Sequence, residues 1–327
     1  VNLQTSYLGL NLKNPLIAAS SGLTNSIKDI KEFEESGVGA IVIKSIFEEE
    51  IMAELNHSIA QTNRPGTLYP EIFDFFDIRD MEDSVSKYLK LIKEAKEAVS
   101  IPIIGSINCI SGTEWPIFVE RIQEAGADAL ELNMFILPSD LERSSGDFEK
   151  VYFDAIEEVK KVAKIPFALK ISHYFSNLGQ MIVKLSESGI NGLVLFNRFY
   201  SPDIDIHKME VVPANIYSNS DEITMPLRWI GMMSPKVKCD LSASTGVNDG
   251  EAVVKLLLAG AKTVQVASSF YKNGIKHATA MINFLEEWMK EKGYDNIEQF
   301  RGKLAAVGNN NPAAYERTQF MKHFAGK

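Results

Sequence analysis

The sequence predicts an α/β fold, a (β/α)8 barrel formed as one domain over residues 1–327, and three observations lead there. Four segments repeat one pattern: SGVGAIVIK (36–44), AGADALELN (125–133), SGINGLVLF (188–196) and AGAKTVQVA (259–267). In each, a helix end meets a glycine suited to a left-handed C-cap, followed by two linking residues and a buried-type strand. Four other strand-like runs alternate with these, and right-handed crossovers between parallel neighbours close eight such units into a ring. Finally, the last two strands end in loops of small residues, Ser244-Thr245-Gly246 and Ala267-Ser268-Ser269. Paired loops of that kind hold a phosphate at the end of a barrel. A doubly wound open sheet is the competing fold, and the eightfold repetition and the paired loops favour the barrel.

Taken in order, Thr5–Leu12 around Gly9 reads as a hairpin flooring the barrel. The interleaved strands are NPLIAAS (14–20), IPIIGSI (101–107), IPFALKI (165–171) and VKCDLS (237–242). Three of them begin at Pro15, Pro102 and Pro166, where a missing N–H is tolerated. Helical spacing covers 26–35, 83–99, 113–125, 148–163, 178–188 and 250–259, the last capped by Asn248 or Asp249. Two long connections, 45–81 and 197–226, leave from C-terminal strand ends, the face where barrel sites lie. Beyond Glu286, Trp288, Phe300, Tyr315 and Phe320 predict closing helices.

Composition narrows the function. A chain of 327 residues, 45% hydrophobic and 24% charged, is long enough for a large core. Its net charge of −9 and pI near 5.2 argue against a nucleic-acid or anionic-membrane partner. Cys109 and Cys239 form neither a disulfide framework nor a CxxC metal site, and His207, His277 and His323 have no metal spacing. No basic start precedes an apolar run and no span reaches membrane length, so a cytoplasmic protein acting on a small molecule is expected.

The strand ends line a barrel site. Here they read Ala19-Ser20-Ser21, Lys44-Ser45, Ser106-Ile107-Asn108, Asn133, Lys170, Asn197, Thr245-Gly246 and Ala267-Ser268. A single lysine ending an apolar strand is ordinarily a snorkelling side chain. Two lysines and three asparagines around a phosphate cradle point instead to a large, planar, anionic cofactor.

From Thr5 to Lys292 the chain resembles the dihydroorotate dehydrogenase-type flavoproteins. The resemblance rests on NPLIAASSG (14–22), VIKS (42–45), GADALELN (126–133), ALKIS (168–172), the FN of 196–197, STGV and QVASSFYKNG. The segment GSINCISGTEWPIFVERIQEAGADALELN is also similar to the flavin domain of dihydropyrimidine dehydrogenase. The resemblance implies bound FMN, its phosphate gripped by Thr245, Gly246, Ala267 and Ser268. It places Lys44 and Lys170 at the isoalloxazine or ribityl chain, with Ala19, Ser20, Ser45, Asn108 and Asn133 lining the flavin. Lys44, Asn133 and Asn197 would also reach the substrate ring. A cation near the flavin N1 and C2 carbonyl stabilises the negative charge of the reduced ring. A homodimer is the common assembly of the family.

The chain departs from this family in its substrate half. There, Glu-Leu-Asn is followed by Leu-Ser-Cys-Pro-Asn, whose Cys or Ser takes the substrate proton. Here the run is Glu131-Leu132-Asn133-Met134-Phe135-Ile136-Leu137-Pro138, so Ile136 stands at the base position with no proton-accepting group. The family's Asn-x-x-Gly-Leu-Pro-Asn loop is replaced by Arg64 to Pro70. Cys109 and His173, after the third and fifth strands, are the substitute bases to consider, with His57 and Arg64 on the long second connection. The expected activity is oxidation at the CH–CH group of a dihydroorotate- or dihydropyrimidine-type ring, altered or lost through Ile136. The alternatives are an inactive FMN-binding barrel with a regulatory role, or a phosphate-binding lyase or isomerase without flavin.

Overall fold

The computed structural model describes residues 1–47, 84–109, 115–307 and 313–318. An antiparallel hairpin comes first, β1 (Thr5–Tyr7) and β2 (Leu10–Leu12), turning through Leu8 and Gly9, both at positive φ (55° and 77°). Such a two-residue turn matches the twist of the paired strands. Next come β3 (Leu16–Ala18), α1 (Ile27–Glu35), β4 (Ala40–Val42) and the short β5 (Ile46–Phe47). After the second connection follow α2 (Ser84–Ala98), β6 (Ile103–Cys109), α3 (Trp115–Glu124), β7 (Ala129–Met134), α4 (Ser145–Val162), β8 (Phe167–Ile171) and α5 (Leu178–Glu187). The last third holds β9 (Gly192–Leu195), the hairpin β10 (Pro202–Asp205) and β11 (Glu210–Pro213), α6 (Thr224–Met233), β12 (Asp240–Ser244), α7 (Gly250–Ala259) and β13 (Thr263–Val266). Among the described residues that follow are α8 (Ser268–Asn273), α9 (His277–Lys292) and α10 (Ala313–Glu316).

The eight barrel strands run in the order β3, β4, β6, β7, β8, β9, β12, β13, every neighbouring pair parallel, and β13 pairs with β3 to close the ring. The repeated glycines cap helices as expected: Gly37, Gly126, Gly189 and Gly260 lie at φ 98°, 99°, 95° and 114°. The strand-opening prolines are harmless because only their carbonyls enter the ladder, accepting from Val264, Ile41 and Leu130.

Strand alternation divides the core into two layers. Leu16, Ile41, Ile103, Leu130, Leu169 and Leu193 face the helices. Ile17, Ala40, Val42, Ile104, Ala129, Ala168 and Val194 face the bore, where Tyr7, Leu8 and Leu12 of the hairpin pack on them. Three of those seven inward positions are alanine, which leaves room for the plug. The fit is tight at Gly192, where an added Cβ would lie 2.6 Å from Leu8 Cδ2. Each large apolar side chain buried this way contributes about 1.5–3 kcal/mol.

Several boundaries differ from the sequence reading. The seventh strand starts at Asp240 rather than Val237, because Lys236 and Val237 are drawn into the end of α6 by hydrogen bonds to the Met233 carbonyl (2.8 and 3.2 Å). The connection 197–226 is structured, holding β10 and β11 and the start of α6. Pro226 sits in the first turn of that helix, where no backbone donor is needed. Helix α9 begins at His277, and its Trp288 packs with Tyr294 and Phe300 (centroids 5.0–5.7 Å apart). Phe320, His323, His57 and the stretch Arg64 to Pro70 lie outside the described residues. Among the described residues no helix is long and apolar enough to cross a membrane.

Candidate active site

A cavity of about 170 Å³ opens at the C-terminal ends of the barrel strands. It brings together Ala19, Ser20, Asn133, Lys170, Asn197, Thr245, Gly246, Ala267 and Ser268, all singled out in the sequence. Lys44 is exposed and, with Ser45, lines a separate cavity of about 450 Å³ beside α2. Ser45 still touches the first site: its N–H donates to Ser20 Oγ (2.8 Å), and its hydroxyl pairs with those of Ser20 (3.0 Å) and Ser106 (2.7 Å). Asn108 is buried beside Asn133 in the β6–β7 ladder.

The floor of the cavity is a polar network that the sequence reading missed. Lys170 Nζ donates to Gln265 Oε1 (2.9 Å), and Gln265 Nε2 donates to Glu131 Oε2 (2.6 Å). Glu131 Oε1 lies 3.6 Å from Lys170 Nζ and accepts no hydrogen bond. The network spans the bore, from β7 and β8 across to β13. Lys170 is therefore buried and oriented by Gln265 rather than extended into solvent. A charge inside the strand ALELN, two residues before Asn133 and so on the same face, was the available signal. Above the floor three buried amide oxygens, Asn108 Oδ1, Asn133 Oδ1 and Asn197 Oδ1, have no hydrogen-bond partner.

The loop end of the cavity has a roof. Gly246 has φ 76°, and an added Cβ would lie 2.1 Å from the Ile223 nitrogen. The absent side chain thus admits the 222–223 backbone, while Gly246 still lines the cavity. Thr245, also at positive φ (84°), donates its hydroxyl to the Phe196 carbonyl (3.1 Å). Asp249 caps α7 through the Ala252 N–H (2.8 Å), so this helix end is already satisfied. Over the loops, the Ser218 N–H donates to Ser268 Oγ (3.0 Å) and Lys272 Nζ to the Ser218 carbonyl (2.7 Å). Arg198 holds the roof, donating to Glu222 Oε2 (2.8 Å) and to the carbonyls of Asn215 and Ile216 (2.7 and 2.9 Å). Burial raises the pKa of Glu222, but the hydrogen bonds from Arg198 and Asn219 outweigh it and hold the carboxyl below its usual range.

Next to this site, and sharing Asn197, Arg198 and Thr245 with it, is a chamber of about 220 Å³. Its wall includes His173, which stacks on Tyr174 (4.6 Å) and meets Phe196 edge-on (5.9 Å). Burial pushes the His173 imidazole below its ordinary pKa. Phe135 faces the first cavity and stacks on Phe199 (5.0 Å, 17° between planes), whereas Ile136 packs against the outer hydrophobic layer. Cys109 ends β6 opposite Met134, and burial pushes the Cys239 thiol up to about 12.

Fold and site together define a (β/α)8 barrel with a buried lysine and free amide acceptors beneath a loop-built cradle at its C-terminal end. The sequence model of dihydroorotate dehydrogenase matches residues 2–289, and the chain belongs to that family. It is similar to the catalytic subunit of dihydroorotate dehydrogenase B (NAD(+)) of Thermoplasma volcanium, 27% identical over 92% of this chain and 98% of the relative. The corresponding subunits of Petrotoga mobilis (25%, over 92% and 99%) and Pyrococcus abyssi (22%, over 93% and 100%) are also similar.

Proposed function

We propose that the protein is an FMN-binding oxidoreductase acting on the CH–CH group of a dihydroorotate- or dihydropyrimidine-type ring, and that Ile136 leaves it poor at dihydroorotate itself. The observation that carries this reading is the pair of buried, unpartnered acceptors Asn133 Oδ1 and Asn197 Oδ1 beside Lys170, in a cavity that ends in two loops of small residues. A buried acceptor without a partner costs about 1–3 kcal/mol, so this pair fits a ligand rich in N–H and O–H donors. FMN is such a ligand, and when bound it supplies the hydride acceptor.

In this reading Thr245, Gly246, Ala267 and Ser268 hold the phosphate, and Ala19 and Ser20 line the ring. Lys170, fixed by Gln265 and Glu131, presents its ammonium to the flavin. Lys44 and Ser45 border the site from the neighbouring cavity. Asn108, next to Asn133 in the β6–β7 ladder, adds a further unpartnered oxygen above the floor. A positioned base contributes about 10²–10⁴ in rate, and Ile136 offers none. The protein is read as a cytoplasmic homodimer.

The test has two parts. Purified protein should be yellow and release FMN, not FAD, on denaturation; a preparation that stays colourless after incubation with FMN overturns the reading. Anaerobic mixing with dihydroorotate should bleach the flavin far more slowly than working enzymes turn over, about 1 s⁻¹ or faster. Ile136 and Pro138 also support a second reading, an FMN-binding barrel without catalysis. Anaerobic reduction by any candidate dihydropyrimidine would dismiss it.

A further inference from the structure

Among the described residues, the charged side chains lining the two adjoining cavities are answered within the protein. Lys170 faces Glu131, which is 1% exposed, at 3.6 Å. Arg198 is paired with Glu222, and its Nε, Nη1 and Nη2 all donate to protein acceptors. These are the cations lining the two cavities among the described residues. One wall of the chamber is aromatic, formed by Tyr174, Phe196 and Phe199, with Phe135 stacked behind Phe199 and His173 stacked on Tyr174; Ser201, Thr224, Met225 and Pro226 complete the lining with uncharged groups. Ring faces carry the negative side of their quadrupole, so they repel anions and attract flat, neutral rings. Burial adds to this by keeping His173 uncharged.

Of the three polar residues shared by both cavities, Asn197 is the one with an acceptor left over. Asn197 is 4% exposed, and its Nδ2 donates to the carbonyls of Met134 (3.0 Å) and Lys170 (3.2 Å). Its two donors are thereby used, and Oδ1 is left as an acceptor without a partner. An acceptor oxygen recognises a ring N–H and opposes a carboxylate.

We infer that the chamber beside the flavin site is selective for a neutral, planar lactam ring that offers an N–H to Asn197 Oδ1, and discriminates against the same ring bearing a carboxylate. The inference rests on the function proposed above for the class of ring. It goes further in setting the substrate's charge, because a buried carboxylate without a partner cation carries a large desolvation penalty.

The experiment compares uracil with orotate, one ring without and with the carboxylate, by calorimetry on the purified protein and by perturbation of the flavin absorbance. Uracil should bind at least roughly tenfold more tightly, a gap of about 1.4 kcal/mol. Equal or tighter binding of orotate, or no binding of either ring, overturns the inference. Phe199→Lys, which adds a cation to the chamber, should reverse the order, as should Tyr174→Lys at a more exposed point of the same wall; orotate affinity unmoved by both would also overturn it. A colourless protein would count against the flavin reading alone, and calorimetry with the same two rings would still decide the charge preference.

Discussion

The two ends of the barrel bore are built from the same strands and the same inward-facing alternation, yet they differ in chemistry. At the N-terminal end Ile104, Ala129, Ala168 and Val194 meet the hairpin's Tyr7, Leu8 and Leu12 in a closed apolar layer. Two residues further along those strands stand Ser106, Glu131, Lys170 and, across the bore, Gln265; two further again come Asn108 and Asn133. The lower end is held by apolar packing, with the buried Tyr7 hydroxyl its one polar atom left without a hydrogen bond among the described residues. The upper end keeps acceptors that only a ligand can satisfy, a local expense of stability typical of functional sites.

The largest effect should come at the boundary between the two ends. Removing one member of a buried ion pair strands the other, at about 3–5 kcal/mol. Glu131→Leu should lower stability by that order in urea unfolding, and adding Lys170→Met should recover most of it. A single variant within about 1 kcal/mol of the parent would mean that Lys170 is solvated, and the division between the ends would not be electrostatic.

Leu8→Ala tests the lower end alone. It empties the plug against Gly192 and should cost about 2–5 kcal/mol while leaving FMN affinity, measured by fluorescence titration, unchanged. Affinity falling in step with stability would break the comparison. Asn133→Leu is the converse at the upper end. Removing an unsatisfied buried acceptor should leave stability unchanged or raise it by about 1 kcal/mol. FMN affinity should fall roughly tenfold or more. Stability falling while affinity holds would reverse the assignment of that side chain.

The same contrast explains how much could be read from the sequence. Local signals carried the barrel: glycine C-caps at 37, 126, 189 and 260, strands opened by proline, and the hairpin at Gly9. The rim was legible too, since strand ends fall on one face and most of the chosen residues meet in one cavity. The reading failed where function depends on contacts across the bore or between loops. Glu131 and Gln265 lie inside strands, 134 residues apart, and nothing local joins them. The clasp of Arg198 on Glu222 and the contact of the 222–223 backbone with Gly246 depend on how a long connection folds back. Lys44 lies just past the end of β4 and lines the cavity beside α2, whereas Lys170 lies inside β8 and is held by Gln265.

The smallest effect concerns His173, and it tests the neutrality of the upper end directly. Burial against Tyr174 and Phe196 depresses its folded-state pKa, whereas an unfolded histidine titrates near its ordinary value of about 6.5. Between those two values the unfolded chain binds more protons than the folded one, so stability rises with pH there. The contribution is fully present above the unfolded value and is lost as pH falls through the folded one. The parent should therefore lose more stability than His173→Phe when taken from about pH 7.5 to about pH 5, measured by urea midpoints at matched ionic strength. Parallel curves would place the imidazole in a solvated setting. The proton that destabilises the fold also brings a positive charge into the aromatic chamber, so orotate should gain on uracil as pH falls in the parent and not in His173→Phe.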